Sequence, residues 1–244
     1  MSSVYGYHSV KEQLLNAANQ VHRLVVLQGS HDRRRSELVS LAKSHSIRVQ
    51  YVTRQALDRL CKGDNHQGLL IEIHDIRLRT EQELKQKIEG LQFPLLLVLE
   101  DLQDPGNVGA CCRTASAVGI DAVILPKNRS GTLNATVLKT SSGTTKDLFI
   151  AQVSNLVRLM TWMKEQGVWV VGTTGSANQS YLDVDYAGSI AIVMGNEESG
   201  LRKLTKDVCD YLVQIPVKES VGSLNVSVAT GVMLYEALRQ RNSK

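Results

Sequence analysis

From residue 94 onward the chain repeats one pattern, a short uninterrupted apolar run followed by a segment of helical composition. The run PLLLVL at residues 94–99 opens it. With no polar residue to turn toward water, such a run suits a strand buried on both faces, as inside a parallel sheet. The turn residues Asp104, Pro105, Gly106 and Asn107 follow, then a helix predicted over Val108–Val118 that Gly119 stops. Further strands are predicted at Asp121–Leu125, Val168–Val171, Ile190–Met194 and Leu212–Ile215, and helices at Asn155–Gln166 and Asn225–Arg241. Alternation at these lengths implies a parallel sheet with helices on both faces. Ligands of such sheets bind beyond the carboxyl ends of the strands, so chemistry is sought in the loops that follow them.

The first 75 residues read as a separate, small α/β unit. An amphipathic segment at Ser9–Ala18, a strand at Val21–Leu27, a helix at Arg33–His45 and strands at Ile47–Val52 and Leu69–Ile73 are predicted. Residues 76–92 are highly charged with few apolar positions, as a linker or an exposed helix would be. The expected domains are therefore 1–75 and 93–244, with 76–92 between them. Residues 1–75 carry 10 Lys and Arg against 7 Asp and Glu, whereas 93–244 carry 14 of each, so the positive excess lies at the amino-terminal end. That bias fits a polyanionic partner, and a solvated surface would show it too.

Other function classes are excluded by what the sequence lacks. A chain that is 43% hydrophobic and 21% charged can bury a core and is neither disordered nor fibrous. Cys61, Cys111, Cys112 and Cys209 form no C-x-x-C pair, and no histidines stand at ligand spacing, so neither a zinc site nor a disulfide framework is signalled. Reduced thiols point to the cytoplasm. The first residues lack a basic stretch followed by an apolar one, and no apolar run reaches the ~18 residues of a membrane helix.

Three loops stand out. DPGNVGACCRTASAVG, residues 104–119, has glycines for a sharp turn, Asn107 at a helix-cap position, and Arg113 interrupting a small apolar helix. Arg113 read alone is equally a solvated side chain. Its G-x-x-G turn is compatible with nucleotide binding, but the G-x-G-x-x-G spacing of dinucleotide enzymes is absent. IVMGNEESGL, residues 192–201, places Asn196, Glu197 and Glu198 after a strand, where carboxylates also serve a helix dipole. In residues 215–241, Gly222, Ser223, Leu224 and Asn225 lead into a helix of small residues that permits close backbone approach.

Together and in this order, the loops resemble the signature motifs of the SpoU/TrmH family: N-x-G-A-x-x-R-T, M-G-x-E-x-x-G and I-P-x(6)-S-L-N-V-S-V-A. YGYHSVKEQLL and HQGLLIEI resemble the small substrate-binding domain of the family's 23S rRNA (guanosine-2'-O-)-methyltransferases. The resemblance implies a knotted SPOUT-type parallel-sheet catalytic domain with a trefoil knot at its carboxyl end, a small ribosomal-protein-like RNA-binding domain, and a homodimer. It implies S-adenosylmethionine as methyl donor, no metal, and 23S rRNA or a large-subunit assembly intermediate as partner; the alternatives are a tRNA ribose 2'-O-methyltransferase and, ranked after it, a non-catalytic RNA-binding protein. Matched motif positions make Arg113, Asn107, Glu197, Ser223 and Asn225 the catalytic set. Thr173, Thr174, Gly175, Gly195, Ile215 and Leu224 would enclose the cofactor, with no competing lysine near the sulfonium. Arg33, Arg34, Arg35, Lys127, Arg129 and Asn134 are candidate RNA contacts.

Overall fold

The computed structural model describes residues 2–29, 32–61, 63–73, 78–127, 148–196, 199–218, 220 and 222–243. The chain divides into two compact units, Met1–Ile76 and Arg77–Lys244.

The first unit runs β1 (Ser2–Tyr5), α1 (Tyr7–Asn16), β2 (Val21–Leu27), α2 (Arg33–Ser44), β3 (Arg48–Val52), α3 (Arg54–Leu60) and β4 (Leu69–Ile73). Its sheet has the order β1-β4-β2-β3, with β4 antiparallel to β1 and β2, and β2 parallel to β3. Every residue of β4 is buried, including Glu72, which must therefore be paired. Arg23 of β2 supplies a two-pronged partner, its Nε 2.7 Å and Nη2 2.6 Å from the two carboxylate oxygens. These bonds hold the Glu72 carboxyl below the usual carboxylate range, against an opposing effect of burial. A depressed carboxyl contributes its stability above the unfolded pKa of ~4.3 and loses it as pH falls through the folded value. Acid titration of the circular dichroism signal is therefore expected to show this unit weakening below about pH 4, and Glu72→Gln to flatten that limb.

The second unit contains β5 (Leu78–Arg79), α4 (Glu81–Glu89), β6 (Leu95–Leu99), α5 (Pro105–Val118), β7 (Ala122–Pro126), β8 (Ile150–Val153), α6 (Leu156–Glu165), β9 (Trp169–Thr173), β10 (Gln179–Ser180), β11 (Ile190–Met194), α7 (Lys203–Val208), β12 (Tyr211–Gln214) and α8 (Val226–Asn242). Its eight strands lie in the order β10-β12-β9-β11-β6-β7-β8-β5, and every pairing is parallel. The central strands β6 and β11 are buried at every residue, as their unbroken apolar composition requires.

Within the segment 76–92, read as a linker or an exposed helix, the described residues 78–92 lie at the edge of this unit. Leu78 of β5 pairs with Ile150, and α4 buries Leu84 and Ile88 in the core. Two apolar residues four apart seat this short helix, and Glu81 adds an ion pair to Arg158 of α6. A capping box between Thr80 and Glu83 fixes its start.

The last helix is tied down by Arg241, whose guanidinium donates to the carbonyls of Phe93, Pro94, Tyr186 and Gly188. Burial lowers its pKa from the ordinary arginine value, with Asp121 opposing. Arg241→Met strands these carbonyls and is expected to cost about 2–3 kcal/mol in urea unfolding.

Candidate functional site

Because β12, β9, β11 and β6 are neighbours and parallel, their carboxyl ends bring four loops to one edge of the sheet. Hydrogen bonds across these ends fix the loops to one another. Glu100 N donates to Met194 O at 2.8 Å, Thr174 N to Val213 O at 2.9 Å, and Asn196 Nδ2 to Asp101 O at 3.0 Å. Asp101 adopts φ 59°, a left-handed conformation that a non-glycine residue rarely holds without surrounding restraint. The restraint is visible: Arg202 pairs with its carboxylate and Asn196 with its carbonyl.

Between the loops lies a cavity of about 400 Å³, within the range of small-molecule sites. Thr173, Thr174, Gly175, Gly195, Ile215 and Leu224, the six positions assigned to the cofactor, all line it, as does Ser223. Met194, Val217, Val226 and Ala229 extend the apolar wall, while Ser176, Asn196 and Ser199 add polar groups. Thr173 Oγ1 is committed to Val193 O at 3.0 Å, which leaves its methyl to face other neighbours. The Gly195 turn is shaped by close backbone approach: a Cβ there would lie 2.4 Å from the carbonyl carbon of Gly200. Asn196 and Gly200 exchange backbone hydrogen bonds of 3.2 and 3.0 Å that close this turn.

The first and third motifs meet beside the cavity. Asn225 Nδ2 donates to Asn107 Oδ1 at 3.1 Å, while Asn225 Oδ1 caps α8 by accepting from Ser227 N at 2.9 Å. Asn107 is not the cap of α5 that its position suggested. Asp104 takes that role, accepting from Gly106 N at 2.9 Å and Asn107 N at 3.3 Å, with Pro105 at the first helical position. Freed from capping, the Asn107 side chain turns to Asn225. Below them α5 packs on α8, with Cys111 Sγ 3.4 Å from Thr230 Oγ1. Burial pushes the neighbouring Cys112 thiol up to about 12, which keeps it protonated and out of any nucleophilic chemistry.

Arg113 stands apart from the cavity of its own chain. It is exposed on α5, is not among the lining residues, and has no hydrogen-bond or ion-pair partner among the described residues. Glu197, Arg129 and Asn134 lie outside the described residues. Lys127 is exposed just past β7, at the same carboxyl edge of the sheet.

In the first unit the three arginines separate. Arg33 and Arg34 are exposed, and the Arg34 guanidinium lies 5.7 Å from the ring centre of Tyr7. Arg35 folds inward over Gly68, where a Cβ would meet its Cζ at 2.5 Å, and its Nε and Nη1 are buried without a hydrogen-bond partner. Its guanidinium is thus packing against the domain rather than presented at the surface.

Sequence reasoning missed two features. Lys206 of α7 lines the cavity, a position that no motif singled out. Glu100, 3% exposed, accepts from Arg202 N at 3.0 Å and from the Thr205 hydroxyl, anchoring α7. The signal for Glu100 was present, an acidic pair closing a wholly apolar strand. Among the described residues no helix is long and apolar enough to cross a membrane, and no group of His, Cys, Asp or Glu could hold a metal.

Residues 94–235 match the SpoU rRNA methylase family and residues 3–78 match the RNA 2'-O ribose methyltransferase substrate-binding domain. The 23S rRNA (guanosine-2'-O-)-methyltransferase RlmB of Escherichia coli (strain K12) is 41% identical over 239 residues, covering 98% of each chain. RlmB of Haemophilus ducreyi is 42% identical over 242 residues, covering 99% of this chain and 98% of its own. The SpoU methyltransferase AviRb from Streptomyces viridochromogenes, solved with AdoMet, superimposes with TM-score 0.69 at 23% identity, covering 99% of this chain and 90% of that one, which establishes the shared fold. With both of its units matched, the chain belongs to the SpoU rRNA methylase family.

Proposed function

We propose that this chain transfers the methyl group of S-adenosylmethionine to the ribose 2'-hydroxyl of a guanosine in 23S rRNA, acting as a cytoplasmic homodimer. The observation that carries the reading is the cavity walled by Gly195, Ile215 and Leu224 beside the Asn107–Asn225 bond. The full-length likeness to the RlmB proteins supports the substrate. A trefoil knot at the carboxyl end belongs to the same reading, supported by the match of residues 94–235 to the SpoU rRNA methylase family.

The residues present fit the donor. A flat apolar base suits the wall of Met194, Ile215, Val217 and Leu224, and the ribose hydroxyls suit Thr174, Ser176 and Ser199. When bound, S-adenosylmethionine supplies an electrophilic methyl carbon on a sulfonium. The chain's own task is to hold a ribose hydroxyl in line with that carbon and to ease the loss of its proton. Asn225 orients Asn107 at the cavity rim, and Ser223 and Glu197 complete the positioning set. Arg113 stabilises the alkoxide as it develops; arginine guanidinium groups normally stay protonated, so this role is preferred to that of base.

Arg113 reaches a cavity across a two-fold contact in this reading. On α8 the exposed Val228 and Tyr235, 53% and 54% accessible, lie seven residues apart on one face, with Gly231 and Val232 between them. The helix that carries Arg113, α5, packs directly on α8. A Cβ on Gly231 would meet nothing within 4 Å in a single chain. Gly231→Arg is therefore expected to leave the fold intact and halve the mass seen by sedimentation equilibrium. A variant that sediments like wild type would remove α8 from the interface.

For the function itself, the protein is incubated with labelled S-adenosylmethionine and undermodified 23S rRNA or tRNA, and the 2'-O-methyl position is mapped. Label at a 23S guanosine is expected. Label only in tRNA would overturn the substrate, and label in neither would overturn the activity.

A further inference from the structure

Among the described residues that line the cavity, Lys206 is the only charged one. No ion pair or side-chain hydrogen bond engages its ammonium among the described residues. Its place is not accidental, because α7 is held at both ends. Glu100 receives Arg202 N and the Thr205 hydroxyl at the start of the helix, and Lys164 reaches Val208 O at 2.9 Å and Asp210 at 2.8 Å at its end. The base of the Lys206 side chain is therefore fixed at the cavity wall.

A cation rooted in the wall is a liability in a pocket built for a sulfonium, since like charges in a half-buried site repel. It becomes an asset only where the ligand carries negative charge. The adenine is neutral, the sulfonium and the α-ammonium are positive, and the one anionic group of S-adenosylmethionine is the carboxylate of its methionine tail. Resting on the methyl-donor reading of the cavity, we infer that Lys206 binds that carboxylate and so sets the orientation of the amino-acid tail. The same contact selects the intact donor and its demethylated product over adenosine thioethers that lack the tail. Specificity of this kind depends on a charge-assisted bond formed by one ligand and denied to the other.

The test compares two ligands by isothermal titration calorimetry, S-adenosylhomocysteine and 5'-methylthioadenosine, which share adenine, ribose and thioether but differ in the amino-acid tail. Lys206→Gln is expected to raise the Kd of S-adenosylhomocysteine about tenfold, equivalent to ~1.4 kcal/mol. The affinity for 5'-methylthioadenosine stays at the wild-type value, which also reports an intact pocket. Lys206→Arg keeps the preference for the tailed ligand. An unchanged ratio of the two affinities in Lys206→Gln, or an equal loss for both, overturns the inference while leaving the donor reading in place. A wild-type protein that binds neither ligand overturns both.

Discussion

Arg113→Ala is expected to slow single-turnover methyl transfer roughly 100- to 1000-fold, the usual cost of removing one preorganised charge stabiliser. The affinity for S-adenosylhomocysteine should stay at the wild-type value, because in this reading Arg113 acts on the ribose oxygen and does not wall the cofactor. The stability of the chain's own fold should also hold, since within one chain the side chain is exposed and makes no hydrogen bond or ion pair among the described residues. The three measurements together isolate a chemical role: rate lost, binding kept, melting kept. Arg113→Lys should recover only part of the rate, because a compact ammonium cannot reproduce the planar fork of a guanidinium toward an oxyanion. Wild-type single-turnover rates in both variants would end the assignment.

Gly195→Ala is expected to act the opposite way, through the scaffold. The new methyl would sit 2.4 Å from the Gly200 carbonyl carbon and 2.5 Å from Leu201 N, contacts that no side-chain rotation relieves. Either the bridge between Asn196 and Gly200 opens or β11 shifts. The expected cost is about 1–3 kcal/mol of unfolding free energy, typical of overpacking. The displaced turn also withdraws one wall of the cavity, so the Kd of S-adenosylhomocysteine should rise by at least about tenfold, the equivalent of ~1.4 kcal/mol. Gly175→Ala is the control, since a Cβ there meets nothing within 4 Å and melting should not change. Calorimetry and ligand titration on the pair decide the matter; equal behaviour of the two variants would refute the close packing of the 195–201 turn.

The sheet was legible because its central strands carry a pattern with one physical solution. LLLVL and IAIVM have no polar side to present, and both are buried at every residue between parallel neighbours. Shorter elements were not legible for the converse reason. Leu78 and Arg79 are too few to show a period, and α4 reveals its core face through only Leu84 and Ile88 among many charges. In the site, motif spacing led to residues whose backbone shapes the cavity, such as Gly195 and Ile215. It could not tell which of two acceptors would cap α5, because Asp104 and Asn107 are both good caps and only the start of the helix at Pro105 chooses between them. Nor could it find Lys206, whose approach to the wall depends on a carboxylate 106 positions earlier in the chain anchoring α7. Arg35 escaped in the same manner: three consecutive arginines look alike until Gly68 offers one of them a place to lie.

The clamp at Arg241 has a consequence for the cavity. Every loop of the cavity precedes it in the chain, yet the helix that carries it also carries Val226 and Ala229 of the cavity wall and abuts the Asn225 cap. The pairing of β6, β7 and β8 does not involve α8, but the cavity wall is incomplete unless that helix docks against Phe93, Pro94, Tyr186 and Gly188. Competence to hold a small molecule is thus tied to the seating of that helix, and loosening the clamp would open the edge of the unit while leaving its centre paired.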